Sequence, residues 1–278
     1  MWAAMATASS EVQVGELLRG WRERRRLSQL ELALEAGTSA RHLSFVETGR
    51  SKPGREVLMR VLDQLDVPYR ERNQLLLAAG HAPALPERPL EHPELAPVRE
   101  ALSLILSGHE PNPAIVVDRA WNIVAANPAV ARLARGAKID PALLEPPVNA
   151  IRASLDPGGL APLIVNVGAW RAFFRERLER QLSITGDQRL AALIDEIAGY
   201  PASNDEGDGA AVGADGTPGP LKLRAPDGGE LAFLSMFAGF DTPFEVTTSE
   251  LAIELLFPAD RATAEAVRDL ARGAGSGA

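Results

Sequence analysis

Apolar residues recur at three- and four-residue intervals through the first 80 positions, the spacing of one helix face turned toward a core. Val14, Leu17, Leu18 and Trp21 predict a first helix over residues 14–26. Ser28 can N-cap a second helix, with Glu31 three residues on to complete a capping box. Leu32, Ala33 and Ala36 give that helix its buried stripe, and Gly37 ends it where a positive φ costs little. Thr38 or Ser39 can cap a third helix whose Leu43 and Val46 point inward, ending at Glu47 and Gly49. Ser39, Ala40, Arg41, Ser44 and Phe45 fall outside its apolar stripe. A turn, GRSKPG, precedes a fourth helix over 55–65 with Val57, Leu58, Val61, Leu62 and Leu65 inward. Pro68 interrupts the chain, and a fifth helix over 71–79 stops at Gly80.

Beyond residue 80 the pattern changes. Residues 81–97 carry prolines at 83, 86, 89, 93 and 97 and read as a semi-stiff linker without packing of its own. A helix over 98–107 follows, and then two short β-branched runs, 114–118 and 121–125, joined at Arg119-Ala120. Asn127 caps and Pro128 begins a helix to Leu133, since proline is preorganised for the first helical position. Residues 141–155 alternate turn and helix signals. Two amphipathic helices are predicted over 170–182 and 188–200, the first with Trp170, Phe173, Phe174 and Leu178 on one side and arginines on the other. Residues 203–219, rich in Gly, Asp and Asn, read as a mobile loop. Strands over 221–224 and 230–238 around a DGG turn suggest a hairpin. Residues 244–248 and 251–257 are further strand candidates, although ELAIELL suits a helix equally well. Asp260 caps a last helix over 262–271.

The chain therefore divides into a disordered leader (1–11), an all-α domain of five helices (12–80), the linker (81–97), an α+β domain of antiparallel sheet with helices on one face (98–272), and a disordered tail (273–278). With 278 residues it can bury a substantial core. No apolar run reaches the roughly 18 residues of a membrane span, and the first ten residues lack the basic and apolar regions of a signal peptide. Cysteine is absent, which excludes disulfides and thiolate metal sites and fits the cytoplasm.

The net charge of −8 is unevenly spread. Residues 1–80 hold 12 Lys and Arg against 10 Asp and Glu, and the remainder holds 17 against 27. Within the first part the cations cluster, as Arg22, Arg24, Arg25 and Arg26 and then as Arg50, Lys52 and Arg55. Affinity for nucleic acid follows the local field at the contacting face, so an acidic remainder is compatible with a separate domain that stays off DNA.

Residues 28–49 have the form of a helix-turn-helix, whose second helix enters the DNA major groove and whose short helices need each other for stability. Arg41 suits direct readout, because its guanidinium matches guanine O6 and N7, and Phe45 can meet a thymine methyl. Thr38, Ser39, Ala40 and Ser44 complete the groove-facing set, with His42 beside the DNA backbone. Gln29 sits at a helix start that favours phosphate, and Arg50, Lys52 and Arg55 lie where loop contacts to phosphate fall. The arginines at 22–26 suit either phosphate contact or the helix C-terminus.

Gln29, Ala33, Gly37, Leu43, Val46, Glu47 and Gly49 resemble the Xre/Cro-type helix-turn-helix regulators. PAIVVDRAWNIVAANPAVARL resembles the strand-turn-strand-helix opening of a PAS-like fold. Together with TGRSKPGREVL and the ending FAGFDTPFEVTTSELAIELLFPADRATAEAV, it resembles regulators with an MmyB-like ligand-binding domain. That resemblance implies a homodimeric bacterial transcription factor on a near-palindromic operator. It also implies a sensory, PAS-like C-terminal domain for a small apolar, fatty-acid-like ligand.

For such a pocket the aromatic enrichment of the second domain offers Trp121, Leu133, Phe173, Phe174, Phe237 and Phe240, residues that serve a core equally well. Arg175, with Arg171 and Arg177 on the same helix, can meet a ligand carboxylate or solvent. The four histidines are dispersed and no pair has metal-ligand spacing, so neither metal nor cofactor is expected. No phosphate-binding, dinucleotide or nucleophile-elbow motif is present, which gives no argument for an enzyme. The alternative reading is a protein-interaction or lipid-binding protein that uses its helix-turn-helix to hold a partner.

Overall fold

The computed structural model describes residues 14–135, 137–201, 219–225, 228–240 and 244–275. The expected leader and nearly all of the 203–219 loop lie outside them. Two compact units divide the chain close to Arg88.

The first unit is helical. α1 (residues 14–24), α2 (Gln29–Glu35), α3 (Ala40–Glu47), α4 (Arg55–Gln64) and α5 (Tyr69–Ala78) enclose a core of Leu18, Trp21, Leu32, Leu43, Val46, Leu58, Leu62, Leu75 and Leu76. The capping box forms as expected, with Ser28 Oγ accepting from Glu31 N at 3.2 Å and Glu31 Oε2 accepting from Ser28 N at 2.7 Å. Gly37 takes φ 62° in the turn between α2 and α3, and Thr38 N donates to Ala33 O at 2.8 Å to close it. Gly15 lets α1 approach the end of α3, because a Cβ there would stand 2.5 Å from Val46 O. Arg60 Nε donates to Ala36 O at 2.9 Å, tying α4 to the C-terminal end of α2.

Residues 82–88 are more than a connector. Asn73 is buried on α5, donates from Nδ2 to Leu85 O at 2.7 Å and accepts from Ala84 N at 2.8 Å. Leu95, in a short 3₁₀ turn over Pro93–Leu95, is buried in the core of the second unit. The expectation of an unpacked linker over 81–97 therefore fails. Leucines spaced among the prolines supply packing that proline content alone conceals.

The second unit is built on a five-stranded, wholly antiparallel sheet. Its strands are β1 (Ala114–Val117), β2 (Ile123–Ala126), β3 (Leu221–Arg224), β4 (Glu230–Gly239) and β5 (Ala252–Pro258), in the order β2-β1-β5-β4-β3. Register places Ile115, Glu254 and Phe237 in a row on one face, and Val116, Ile253 and Ala238 on the other. Each face is covered, contrary to the one-sided arrangement expected. α6 (Ala96–Gly108) packs Val98, Leu102 and Leu106 against Val116 and Ile253. The opposite face meets α8 (Ala150–Leu155), α9 (Val167–Thr185) and α10 (Gln188–Ala198) through Ile151, Trp170, Phe174, Leu178, Leu193 and Ile197. α7 (Pro128–Leu133), α12 (Arg261–Gly275) and all but the first residue of the four-residue α11 (Val246–Ser249) complete the unit.

Several local expectations are corrected. Residues 244–248 are no strand, since α11 occupies most of that stretch, while 252–258 resolve as strand. The second strand starts at Ile123 because Trp121 belongs to the turn, where it takes φ 67°. Asp118 holds that turn by accepting from Ala120 N at 2.8 Å and Asn122 N at 2.9 Å. Asn127 occupies the N-cap position of α7 without capping it. Its buried side chain instead accepts from Ala114 N at 3.0 Å and donates to Asn112 O at 2.8 Å, securing the start of β1. α12 extends to Gly275, three residues into the stretch expected to be a tail.

Candidate DNA interface and apolar cavity

α3 begins with Ser39, whose Oγ accepts from His42 N at 3.1 Å, so this hydroxyl organises the helix start. Leu43 and Val46 are buried, leaving Arg41 exposed and Ala40, His42, Ser44 and Phe45 half-buried along the outer surface. Arg41 lies over the Phe45 ring, 5.3 Å from its centroid, a cation–π contact that aligns the guanidinium along the helix. Thr38 is half-buried in the turn, where its backbone closes α2.

Glu47 ends α3 with a side chain only 1% exposed. Arg22 of α1 donates to both of its oxygens, from Nε at 2.7 Å and from a terminal nitrogen at 2.9 Å. Gln29 donates its Nε2 to the same carboxylate at 2.8 Å. One buried acid thus fastens the first three helices together, and the Arg22 guanidinium is raised above its ordinary pKa mainly by its hydrogen bonds to Glu47. This contact takes one of the two amide N–H donors of Gln29 and leaves the second for the phosphate role expected of it.

The other arginines divide similarly. Arg25 donates to Leu65 O at 2.8 Å and to Asp66 O at 3.0 Å, capping the end of α4. Arg24 lies 4.1 Å from the centroid of Trp21. Arg55, exposed at the start of α4, donates to the carbonyls of Ala82 and Pro83 and so ties down the segment after α5. Arg50 and Lys52 are exposed beside the turn. Among the described residues Arg41 and Arg50 form no ion pair, whereas Arg22, Arg70 and Arg72 do. Sequence reasoning could not separate these groups, since arginines of both kinds occur in one basic cluster.

The second unit contains an apolar cavity of about 190 Å³. Ile115, Ile123, Leu133, Leu144, Val148, Ile164, Trp170, Phe174, Leu223 and Leu256 line much of it, and Glu254 of β5 contributes a carboxyl. Of the residues expected at a pocket, Leu133 and Phe174 line this cavity. Trp121, Phe173 and Phe237 lie in the aromatic cluster beside it, where Trp121 meets Phe174 edge-on at 5.4 Å and Phe237 at 5.7 Å. Phe173 stacks on Trp170 at 4.9 Å. Phe240 packs with the core on the other face of the sheet. Arg175 is exposed and pairs with Glu179 at 3.7 Å, one turn along α9. The arginine that does turn inward is Arg177, whose guanidinium lies 3.6 Å from the Phe237 ring centroid and 5.4 Å from that of Trp121. Burial pulls its pKa below the ordinary arginine value. Glu254 was missed because an acid inside ELAIELL reads as a solvent-facing position until the strand register is known.

Among the described residues no group of acidic and histidine side chains could hold a metal ion, and no helix is long and apolar enough to cross a membrane.

Comparison with known proteins places both units. Residues 98–270 match the model of the MmyB-like transcription regulator ligand binding domain, and residues 18–72 match the helix-turn-helix model. No curated protein matches the chain. Among solved structures the chain is similar to the restriction-modification controller protein C.AhdI from Aeromonas hydrophila, at 28% identity and TM-score 0.22 over 23% of this chain and 97% of that one. It is similar to the clp gene regulator ClgR from Corynebacterium glutamicum, at 23% identity and TM-score 0.23 over 37% of this chain and 95% of that one. An RNA-binding light-oxygen-voltage receptor matches at 12% identity and TM-score 0.25, over 100% of this chain and 67% of that one. With the ligand-binding-domain model spanning more than half of its length behind a helix-turn-helix, the chain belongs to the MmyB-like transcription regulators and is a DNA-binding protein.

Proposed function

We propose that the chain regulates transcription as a homodimer whose two α3 helices enter successive major grooves of a near-palindromic operator. An apolar ligand, fatty-acid-like in its hydrocarbon body, occupies the cavity of the second unit and biases DNA affinity. Arg41, Ser44 and Phe45 read bases, Thr38, Ser39, Ala40 and His42 border the groove, and Arg50 with Lys52 meets phosphate. Gln29 and Arg55 contribute chiefly by holding the scaffold. The carrying observation is that Arg41 stands exposed on α3 without an ion pair, while Arg22, Arg25 and Arg55 are spent on protein acceptors. A sheet enclosed by helices on both faces, with a cavity beneath one of them, supports the PAS-like sensory reading. Ligand shifts DNA binding only through different affinities for the DNA-competent and DNA-incompetent arrangements.

The test is fluorescence anisotropy of the full chain on a labelled fragment from upstream of its own gene, titrated with salt. Groove binding through phosphates weakens by orders of magnitude between about 50 and 200 mM salt through counterion release. Leu30 and Leu34, 60% and 71% exposed one turn apart on α2, favour a second reading in which that helix docks a protein. Binding that is insensitive to salt would select it.

A further inference from the structure

Ser154, Trp170 and Glu254 supply the only side-chain polar groups among the residues lining the cavity, and none of the lining side chains is cationic. The Ser154 hydroxyl is already committed, donating to Ala150 O at 2.8 Å. Glu254 is fixed by strand register between Ile115 of β1 and Phe237 of β4, on the face turned toward α9. One of its oxygens accepts from Ser235 Oγ at 2.7 Å, and the other has no hydrogen-bond partner among the described residues. Arg177, the nearest cation, is held against the rings of Phe237 and Trp121 and forms no ion pair with it.

A carboxyl so placed has two options. Ionised, it would leave a charge in an apolar hollow with a single neutral hydrogen bond, a costly state. Protonated, it keeps the Ser235 contact and turns an O–H donor toward the cavity. Burial favours the second, driving the Glu254 carboxyl above the ordinary carboxylate range against the opposing effects of Ser235 and Arg177. The cavity then presents a donor and no cation, which suits an uncharged acceptor and penalises a buried anion.

We propose that Glu254 is the polar anchor of this cavity, selecting small neutral molecules with one hydrogen-bond acceptor on an apolar body, such as a ketone or an ester, over the matching carboxylate. The inference rests on the cavity being a ligand site. Its volume of about 190 Å³ sets the scale. An apolar cavity of roughly 150 Å³ accommodates benzene, so molecules of about seven to nine heavy atoms fit without expansion.

Three compounds of nearly one shape separate the possibilities, namely acetophenone, ethylbenzene and benzoate, titrated calorimetrically into the full chain at pH 7. Acetophenone is expected to bind about fivefold to tenfold more tightly than ethylbenzene, the worth of one net hydrogen bond. Benzoate is expected to bind at least about a hundredfold more weakly than acetophenone. Glu254→Gln retains a donor and keeps the preference for the ketone. Glu254→Met erases it while ethylbenzene still binds, which also verifies that this variant folds. The wild-type ratio of ketone to carboxylate stands whatever the variants do. Benzoate binding as tightly as acetophenone, or a ketone preference surviving in Glu254→Met, overturns the proposal. Equal binding of acetophenone and ethylbenzene by the wild type overturns the anchor and leaves the ligand site standing. Failure of all three to bind overturns both.

Discussion

Replacing Glu47 with alanine removes the acceptor of three hydrogen bonds, two from Arg22 and one from Gln29, at distances of 2.7–2.9 Å. The Arg22 side chain is only 11% exposed and Glu47 1%, so the stranded guanidinium cannot simply rehydrate. It keeps one hydrogen bond, to Leu27 O at 2.8 Å, and a longer contact with the exposed Glu23 carboxylate at 3.8 Å. Removing one partner of a buried ion pair costs about 3–5 kcal/mol, a large share of the ~5–15 kcal/mol that stabilises a domain. For a unit of this size that corresponds to a fall in melting temperature of about 12 °C or more. Hydrogen exchange followed by mass spectrometry on peptides spanning residues 28–49 of the full chain reads this unit separately. Protection should drop by at least a hundredfold. The double replacement Arg22→Met with Glu47→Leu removes both charges together and should recover most of the loss, since an apolar pair of similar volume replaces a desolvated ionic one at little cost. A single variant that loses less than about 1 kcal/mol, or a double variant no better than the single, refutes the view that this carboxylate holds the three helices.

Other perturbations probe the packing and the charges. Gly15→Ala forces a methyl group toward Val46 O and Glu47 O, with a cost of about 1–3 kcal/mol and a lower melting temperature for the helical unit. An unchanged transition would mean that α1 and α3 are not closely apposed. Burial alone would raise Asp187, but its hydrogen bonds to Arg189 and the nearby charge of Arg119 prevail and hold it at about 2. Because this folded-state value lies below the unfolded one, its stabilisation is complete above about pH 4 and disappears as pH falls toward 2. Asp187→Asn should therefore flatten the acid limb of a stability profile in that window, and an unaltered limb would contradict the pairing. Glu254 shifts the opposite way, so the native state holds its proton longer and stability declines as pH rises above the unfolded value near 4.5. Glu254→Gln should be more stable than wild type at pH 7 by urea denaturation, and a less stable variant would contradict a buried neutral acid.

How far the sequence reveals the molecule depends on the range of the interactions involved. The helix-turn-helix is legible because its signals are local. Ser28 with Glu31, Gly37 and the spacing of Leu43 and Val46 each act within one or two turns of helix. The roles of the arginines are not legible, because Arg22, Arg25 and Arg55 find tertiary acceptors 25 to 41 residues away. The sheet is visible in outline from AIVV and the hairpin around Gly228, yet the placement of β5 between β1 and β4 depends on non-local pairing. The same holds for the cavity. Phe174 and Leu133 reach it from helices, but Glu254 is placed there only once β5 takes its register against Ile115 and Phe237. Asn127 has the sequence position of a cap, and a tertiary contact with Ala114 N takes its side chain.

The central claim concerns the exposed face of α3, and Arg41→Ala tests it most directly. The change leaves the core untouched, since Arg41 is exposed and lies over the Phe45 ring on the outer surface of α3. Binding sites selected from random duplex DNA by the wild type and by the variant should differ at one base position per half-site. There the wild type should favour guanine, and the variant should lose discrimination worth about 1–3 kcal/mol while its non-specific binding stays within a few-fold. Identical selected sequences for the two proteins, or equal weakening on every sequence, would contradict direct readout by this face.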